Sequence, residues 1–345
     1  MRYRTIWAFL GIVVSATTVL ESSLRLYYGS LLCLRQVPLI YQSDQLTGYE
    51  YIPDAAGTLC VPSICKTVKI NSAGYVGRVA GVTKDPDTLR IVVVDTSNAT
   101  GFWMQSGDPY PVILESLLRG AGVRAEILNF SIDGKYRDFA NVERTRRQVM
   151  PYSPDVVLLR ISVPTVKADV SRTGYRGFAI SYPGKNHSAL QDAQRIVDVI
   201  ERHKFIKELY SNSYIIRRAV IGCAAHASGT TSRLLWGFVN HSIVEDAVPE
   251  PLSILETIQL LMSLRNALRD RGADLVFLTY GPDTAVTTVS RYLGVPLVTI
   301  QSPVLSNFVH RYDGHYTEPG QRILAGQIFD SLSALPRLRD PRFAL

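Results

Sequence analysis

Residues 89–101 read LRIVVVDTSNATG, a valine-rich apolar run that stops abruptly in small and polar residues. The run is β-branched without alternation, which predicts a strand covered on both faces, as in a parallel sheet flanked by helices. Such sheets carry their chemistry just beyond the carboxyl ends of their strands, and Ser97 stands at that place. Taken alone, residues 95–101 read as a polar turn capping the next helix, because Asp, Thr, Ser and Asn are the usual turn and cap residues. The rest of the chain changes that balance.

Outward from this strand, the text from residue 85 to the carboxyl terminus alternates between strand and helix. Strands are expected at 89–94, 124–129, 155–161, 273–281 and 296–300. Helices are expected at 110–119, 136–150, 252–271, 284–293 and 321–332, the third with an apolar stripe at Leu255, Ile258, Leu261 and Leu264. Strands alternating with helices predict an α/β fold with a doubly wound parallel five-stranded sheet, since right-handed crossovers lay helices on both faces. The rhythm breaks at about 163–250. An insertion there, read as mostly helical, follows the third strand and so falls on the ligand-binding side of the sheet, as a lid or polymer-binding element.

Before residue 85 the chain is of another kind. Residues 1–28 open with Arg2 and Arg4 and are uncharged from Thr5 to Leu20, which predicts an uncleaved transmembrane helix and juxtamembrane segment. By the positive-inside rule the amino terminus stays in the cytoplasm and the main domain lies outside it, in the periplasm or its equivalent. Residues 29–84 are rich in Tyr, Pro and Gly and read as an extension of short strands and turns, with a strand at 67–71. Cys60 and Cys65 flank a turn-rich segment that includes a proline, so a small disulfide loop is expected in an oxidising compartment, while Cys33 and Cys223 read as free thiols. Residues 336–345 form a tail.

At 345 residues, 46% hydrophobic and 19% charged, the composition is that of a globular protein. The net charge of +7 is dispersed, and its densest cluster, Arg144, Arg146 and Arg147, falls on an expected helix. With no basic tract interleaved with aromatics, a nucleic-acid partner is not expected. Phosphate-loop, dinucleotide and metal-site patterns are lacking, so no cofactor and no metal are expected.

Near the end stands HRYDGHYTEPGQRILAGQIF. His315 precedes a helix with Thr317 at its cap and Pro319 in its first turn, and Asp313 lies two residues earlier. An Asp and a His on one loop provide a general base and the group that orients it, for a serine nucleophile at another strand end.

Taken together, these stretches resemble the SGNH hydrolase superfamily, also called GDSL-like esterases, and in particular its membrane-anchored members found with exopolysaccharide machinery. DTSNATG followed by DPYPVILESLL is similar to the family's GDSxTxG strand end and helix, and NFSIDG to its second block. PDVVLLRISVPT is similar to the third block, YDGHYTEPGQ to the last, and YQSDQLTGYEYIPDAAG…INSAGY to the preamble of anchored members. The resemblance covers about residues 21–332 apart from the insertion. It implies a flavodoxin-like sheet, with Ser97 as nucleophile, His315 as base, Asp313 as its orienting partner, and the amides of Ser97 and Gly134 as oxyanion donors.

Three departures stand out. The Gly-Asp before the serine is Asp95 and Thr96. The third block's asparagine, an oxyanion donor in the family, falls on Pro164, with Ser162 or Thr165 as replacements. The aspartate three residues before the histidine is Tyr312, with Asp313 one residue closer.

The expected function is therefore an extracytoplasmic serine esterase, deacetylase or O-acyltransferase acting on acyl groups of an exported polysaccharide, cellulose or a related glucan being one candidate. Its expected partners are that polymer, the membrane, and proteins of polysaccharide synthesis or export. The alternative is a catalytically impaired relative that binds polysaccharide or a partner in such a complex. Pro164 and the Asp95–Thr96 pair favour the second reading, and retention of both Ser97 and His315 favours the first.

Overall fold

The computed structural model describes residues 2–28, 39–61, 64–104, 106–134, 138–163, 172–176, 178–181, 252–301 and 315–344. It also describes single positions at 191, 194, 198, 202, 203, 205, 213 and 215. The chain opens with α1 (Arg2–Tyr28), in which Ile6–Ser23, with a mean hydropathy of 1.5, is long and apolar enough to cross a membrane. Trp7, Phe9, Ile12 and Val14 are exposed on it, so among the described residues none covers this apolar surface.

Two antiparallel hairpins follow, β1 (Tyr41–Asp44) with β2 (Gly48–Tyr51) and β3 (Ala56–Val61) with β4 (Ile64–Lys69). The strand expected at 67–71 is thus the second arm of a hairpin. This hairpin pairs Cys60 with Cys65 in backbone register, while the cysteine side chains lie outside the described residues.

The α/β part runs β5 (Leu89–Val94), α2 (Ser97–Thr100), α3 (Tyr110–Gly120), β6 (Ala125–Asn129), α4 (Asp138–Arg144) and β7 (Val156–Arg160). A hairpin of β8 (Arg172–Tyr175) and β9 (Phe178–Ser181) comes next. Then come α5 (Ile254–Arg269), β10 (Asp274–Tyr280), α6 (Thr284–Leu293), β11 (Leu297–Ile300) and α7 (Glu318–Ser333). Two of these differ from expectation. The helix expected over 136–150 is α-helical only to Arg144, then widens into a π turn, Thr145–Val149, and tightens into a 3-10 turn, Met150–Tyr152. Thr145 Oγ1 donates to the Asn141 carbonyl at 2.7 Å, the competing bond by which a threonine loosens a helix, and Pro151 has no N–H with which to continue it. The insertion opens with the β8–β9 hairpin, and is helical at the described positions 191, 194, 198, 202, 205 and 215.

The central sheet has the order β6-β5-β7-β10-β11, all neighbours parallel. The chain moves from β5 to one side, then crosses back over it to build the other. The two helical connections beside β5 therefore leave on opposite faces, opening a crevice at its carboxyl end. Both faces are covered, as the apolar run Ile91–Val94, with no polar alternation, requires. Leu89, Ile91 and Val93 pack with Leu114 and Leu118 of α3 and with Leu324 and Ile328 of α7. Val92 and Val94 pack with Val142, Leu261, Leu264, Val286 and Val289 from α4, α5 and α6. Arg90, just ahead of this run, is buried too. Its Nε donates to Glu126 at 2.6 Å and its Nη1 to the Tyr152 carbonyl at 2.5 Å, so the charge is paired and hydrogen-bonded where burial demands it.

A third apolar cluster joins the extension to this core. Ile40, Tyr41, Tyr49, Tyr51, Leu59, Val68 and Ile70 pack against Phe102 and Trp103, just past α2, and against Ile132, past β6. Beside it, Arg144 on α4 makes a buried ion pair with Glu50 on β2, and Thr47 Oγ1 donates to the same carboxylate at 2.5 Å.

Candidate active site

Ser97 begins α2 directly beyond the end of β5. Thr96 holds extended geometry ahead of it, and Gly101 closes the helix in the left-handed region at φ 69°. A Cβ on Gly101 would lie 3.0 Å from the Pro109 ring, so a glycine there serves both the reversal and the close approach of the next segment. The result is a strand-to-helix turn that lifts the Ser97 hydroxyl to the mouth of the crevice.

Across the crevice, α7 starts from Thr317, with Pro319 in its first turn as expected. His315, two residues ahead of that cap, reaches Ser97: its Nε2 lies 2.7 Å from Ser97 Oγ. The two residues are 218 positions apart and both half-buried. Gln321 of α7 fixes this approach. Its Nε2 donates to the Asn98 carbonyl at 3.0 Å, and its Oε1 accepts from the Tyr110 N–H at 2.9 Å, so one buried side chain ties α7 to α2 and α3. On its face the His315 ring stacks on Trp103, with centroids 4.4 Å apart and planes within 6°.

The loop that carries Gly134 is stitched to the same turn. Asn129 Nδ2 donates to the Ala99 carbonyl at 2.6 Å, Ser131 Oγ accepts from the Asp95 N–H at 3.0 Å, and the Ile132 N–H donates to the Asp95 carbonyl at 3.3 Å. Gly134 itself sits at φ 121°, a backbone conformation that residues with a Cβ rarely adopt.

Asp95 is an anchor beneath the turn. It is fully buried and accepts from Tyr110 Oη at 2.9 Å and Tyr280 Oη at 2.5 Å. Burial pushes its carboxyl above the ordinary range, against the Tyr280 hydrogen bond and the Arg160 charge. Burial first, and the Asp95 charge second, raise both phenols well above theirs, so they remain donors.

Of the replacement donors named for the oxyanion, Ser162 is engaged elsewhere. Its hydroxyl donates to Asp138 at 2.6 Å and its N–H to the same carboxylate at 2.9 Å. Asp138 is buried, and its carboxyl is raised by that burial against the opposing Arg160 charge and Ser162 bonds. Asp313, Tyr312, Pro164 and Thr165 lie outside the described residues. Among the described residues no cluster of His, Cys, Asp or Glu has the make-up of a metal site.

Sequence reasoning missed Trp103, Gln321 and the two tyrosines on Asp95. Tyr280 carried a readable signal, the last residue of a strand at the edge where the site lies. Trp103 carried none, because its contact with His315 is made only by folding.

No family model matches the chain, and no curated protein sequence matches it. Thirty-five solved chains are similar to it. One is an acetylxylan esterase from Geobacillus stearothermophilus, determined as a catalytic mutant, with 14% identity, 70% of this chain and 93% of that one covered, and a TM-score of 0.36. A lipase/acylhydrolase from Enterococcus faecalis has 10% identity, coverage of 70% and 94%, and a TM-score of 0.37. A lipolytic protein of the G-D-S-L family from Desulfitobacterium hafniense has 8% identity, coverage of 71% and 99%, and a TM-score of 0.35.

Proposed function

We propose that the chain is a serine esterase or O-acyltransferase that acts outside the cytoplasm on acyl groups of an exported polysaccharide. The observation that carries the reading is the 2.7 Å contact between Ser97 Oγ and His315 Nε2 at the crevice of the sheet. A serine and an imidazole at that distance are placed for proton transfer as the oxygen attacks.

In this mechanism Ser97 Oγ bonds to the ester carbonyl carbon while its proton passes to His315 Nε2. The carbonyl oxygen, now an oxyanion, accepts from the amides of Ser97 and Gly134. Such preorganised donors are each worth about 3 to 4 kcal/mol in a water-poor site. Collapse of the intermediate breaks the bond to the sugar oxygen, which takes the proton from His315 and leaves an acyl-Ser97. Water or a second sugar hydroxyl then gives its proton to His315 and attacks the acyl carbon, and as the bond to Ser97 Oγ breaks His315 returns that proton to Ser97. Water makes the protein a deacetylase, and a sugar hydroxyl makes it a transferase. Asp313 is assigned the orientation of the imidazole from the sequence resemblance. The polysaccharide substrate rests on the same resemblance, and the extracytoplasmic placement on Arg2 and Arg4 ahead of the apolar part of α1.

Treatment of intact cells with a membrane-impermeant fluorophosphonate tests nucleophile and side of the membrane together. Labelling is expected for the wild type and is expected to vanish in Ser97→Ala and His315→Ala, with hydrolysis of a small acetyl ester lost equally in both because the pair acts as one unit. If wild type and Ser97→Ala share one background rate while both bind polysaccharide, the non-catalytic reading replaces this one.

A further inference from the structure

Three tyrosines of the extension converge on one residue beside the proposed oxyanion hole. Tyr41 Oη donates to Asp133 Oδ2 at 2.6 Å, Tyr51 Oη to Asp133 Oδ1 at 2.7 Å, and Tyr49 Oη to the Asp133 main-chain carbonyl at 2.6 Å. The Asp133 N–H in turn donates to Tyr51 Oη at 3.3 Å. All three rings are buried and packed together, Tyr41 edge-on to Tyr49 at 5.3 Å and 5.6 Å from Tyr51. The arrangement follows from the hairpin. Tyr49 and Tyr51 lie two apart and so share a face of β2, and Tyr41 pairs with Tyr51 across the strands.

The carbonyl that Tyr49 holds belongs to the same peptide unit as the Gly134 N–H. That unit is planar, and in the trans form its C=O and N–H point in opposite directions, so anchoring the oxygen aims the N–H. A hydrogen bond accepted by a peptide oxygen also polarises the unit and strengthens its N–H as a donor. Gly134, at φ 121° with no side chain, has no steric means of holding that peptide by itself. Meanwhile the Asp133 carboxylate, whose charge opposes an oxyanion forming nearby, has both oxygens covered by phenol donors. Burial keeps the Tyr41 and Tyr51 phenols protonated well past the ordinary range.

We propose that Tyr49 is a positioning residue for catalysis, which aims and polarises the Gly134 amide through the Asp133–Gly134 peptide, while Tyr41 and Tyr51 hold the Asp133 side chain. The proposal rests on the esterase reading for its kinetic consequence, and on the hydrogen-bond geometry alone for its effect on the amide.

The test compares Tyr49→Phe with Tyr41→Phe in the full chain in detergent micelles, since each removes one hydroxyl and keeps the ring packing. Tyr49→Phe is expected to lower kcat on a small acetyl ester on the order of tenfold with KM unchanged, less than the 10²–10³ lost with an entire oxyanion donor. Tyr41→Phe, which uncovers one oxygen of the Asp133 carboxylate but leaves its main-chain carbonyl bonded to Tyr49, is expected to lower kcat by less than Tyr49→Phe does. In protein labelled with 15N-glycine, the Gly134 amide resonance is expected to move in Tyr49→Phe more than in Tyr41→Phe. A Tyr49→Phe enzyme with wild-type kcat overturns the proposal, as do losses in the two variants that merely track their melting temperatures. If the wild type hydrolyses no ester, the esterase reading fails and the Gly134 resonance decides the positioning role. An equal or absent shift in the two variants then refutes it.

Discussion

Trp103 lies flat against the imidazole that faces Ser97, and the consequence is chemical as well as steric. Stacking at 4.4 Å confines the ring to one plane, the plane in which Nε2 meets Ser97 Oγ. The indole face also attracts the positive charge that the imidazole acquires once it has taken the serine proton, an effect worth about 0.5–2 kcal/mol. Trp103→Leu keeps the site apolar but removes both the platform and its quadrupole. It is expected to lower kcat roughly tenfold, with KM and the extent of fluorophosphonate labelling little changed and the labelling rate reduced in step. A labelling rate equal to wild type would show that the imidazole is held by other contacts. The places of Ser97 and His315 in the fold were legible because each sits at an element boundary that the sequence marks, an apolar run ending in polar residues and a Thr-x-Pro helix start. Trp103 and Asp133 were not, because their importance lies in partners distant in sequence, 212 and 82 or more positions away, and no local pattern encodes such a pair.

The hairpin that delivers Tyr49 and Tyr51 depends on its own turn. Asp44 closes it, accepting from the N–H groups of Leu46 and Thr47 at 2.9 and 2.8 Å, while Arg147 from the π turn grips both carboxylate oxygens at 3.0 and 3.1 Å. Burial raises the Asp44 carboxyl, but these bonds together outweigh it and hold the group well below the ordinary carboxylate range. A carboxylate depressed on folding adds stability above its unfolded pKa of about 3.9, and that stability is lost as the pH falls below it. Asp44→Asn is therefore expected to destabilise the protein by about 1 kcal/mol at pH 7, with the deficit shrinking as the pH falls below about 4, followed by thermal melts across that range. A deficit independent of pH would assign the effect to the turn bonds and not to the charge. Among the elements, the buried strands were the most legible, since the centres of β5, β7 and β10 are runs of apolar residues with no polar alternation, as a strand covered on both faces must be. The π turn after α4 and the β8–β9 hairpin were not. One arises from a single threonine's competing bond, and the other turns at Arg176, held at φ 47°, where the sequence offers no asparagine or aspartate to announce the reversal.

Considered whole, the chain has two amino-terminal parts with opposite relations to the core, and deletion separates them. The described part of α1 contributes exposed apolar side chains, and its removal uncovers none of the clusters on the two faces of the sheet. The extension does the reverse, since Phe102, Trp103 and Ile132, which flank the Ser97 turn and the Gly134 loop, are buried against its tyrosines and aliphatic residues. A chain lacking residues 1–28 is expected to be released from the membrane with the esterase rate and melting temperature of the full protein. A chain lacking residues 1–84 loses Ile40, Leu59, Val68, Ile70 and the three tyrosines from that cluster, and each large apolar side chain buried there is worth about 1.5–3 kcal/mol. The exposures of Phe102, Trp103 and Ile132 that follow are, at the same rate, together comparable with the 5–15 kcal/mol by which a whole domain is held folded. The deletion also leaves the Glu50 partner of Arg144 missing, so that a guanidinium remains buried without its carboxylate. The longer deletion is accordingly expected to yield insoluble or molten protein that takes up no fluorophosphonate at Ser97. If it remained folded and labelled at the wild-type rate, the sheet and its helices would suffice to form the site, and the extension would have no part in shaping it.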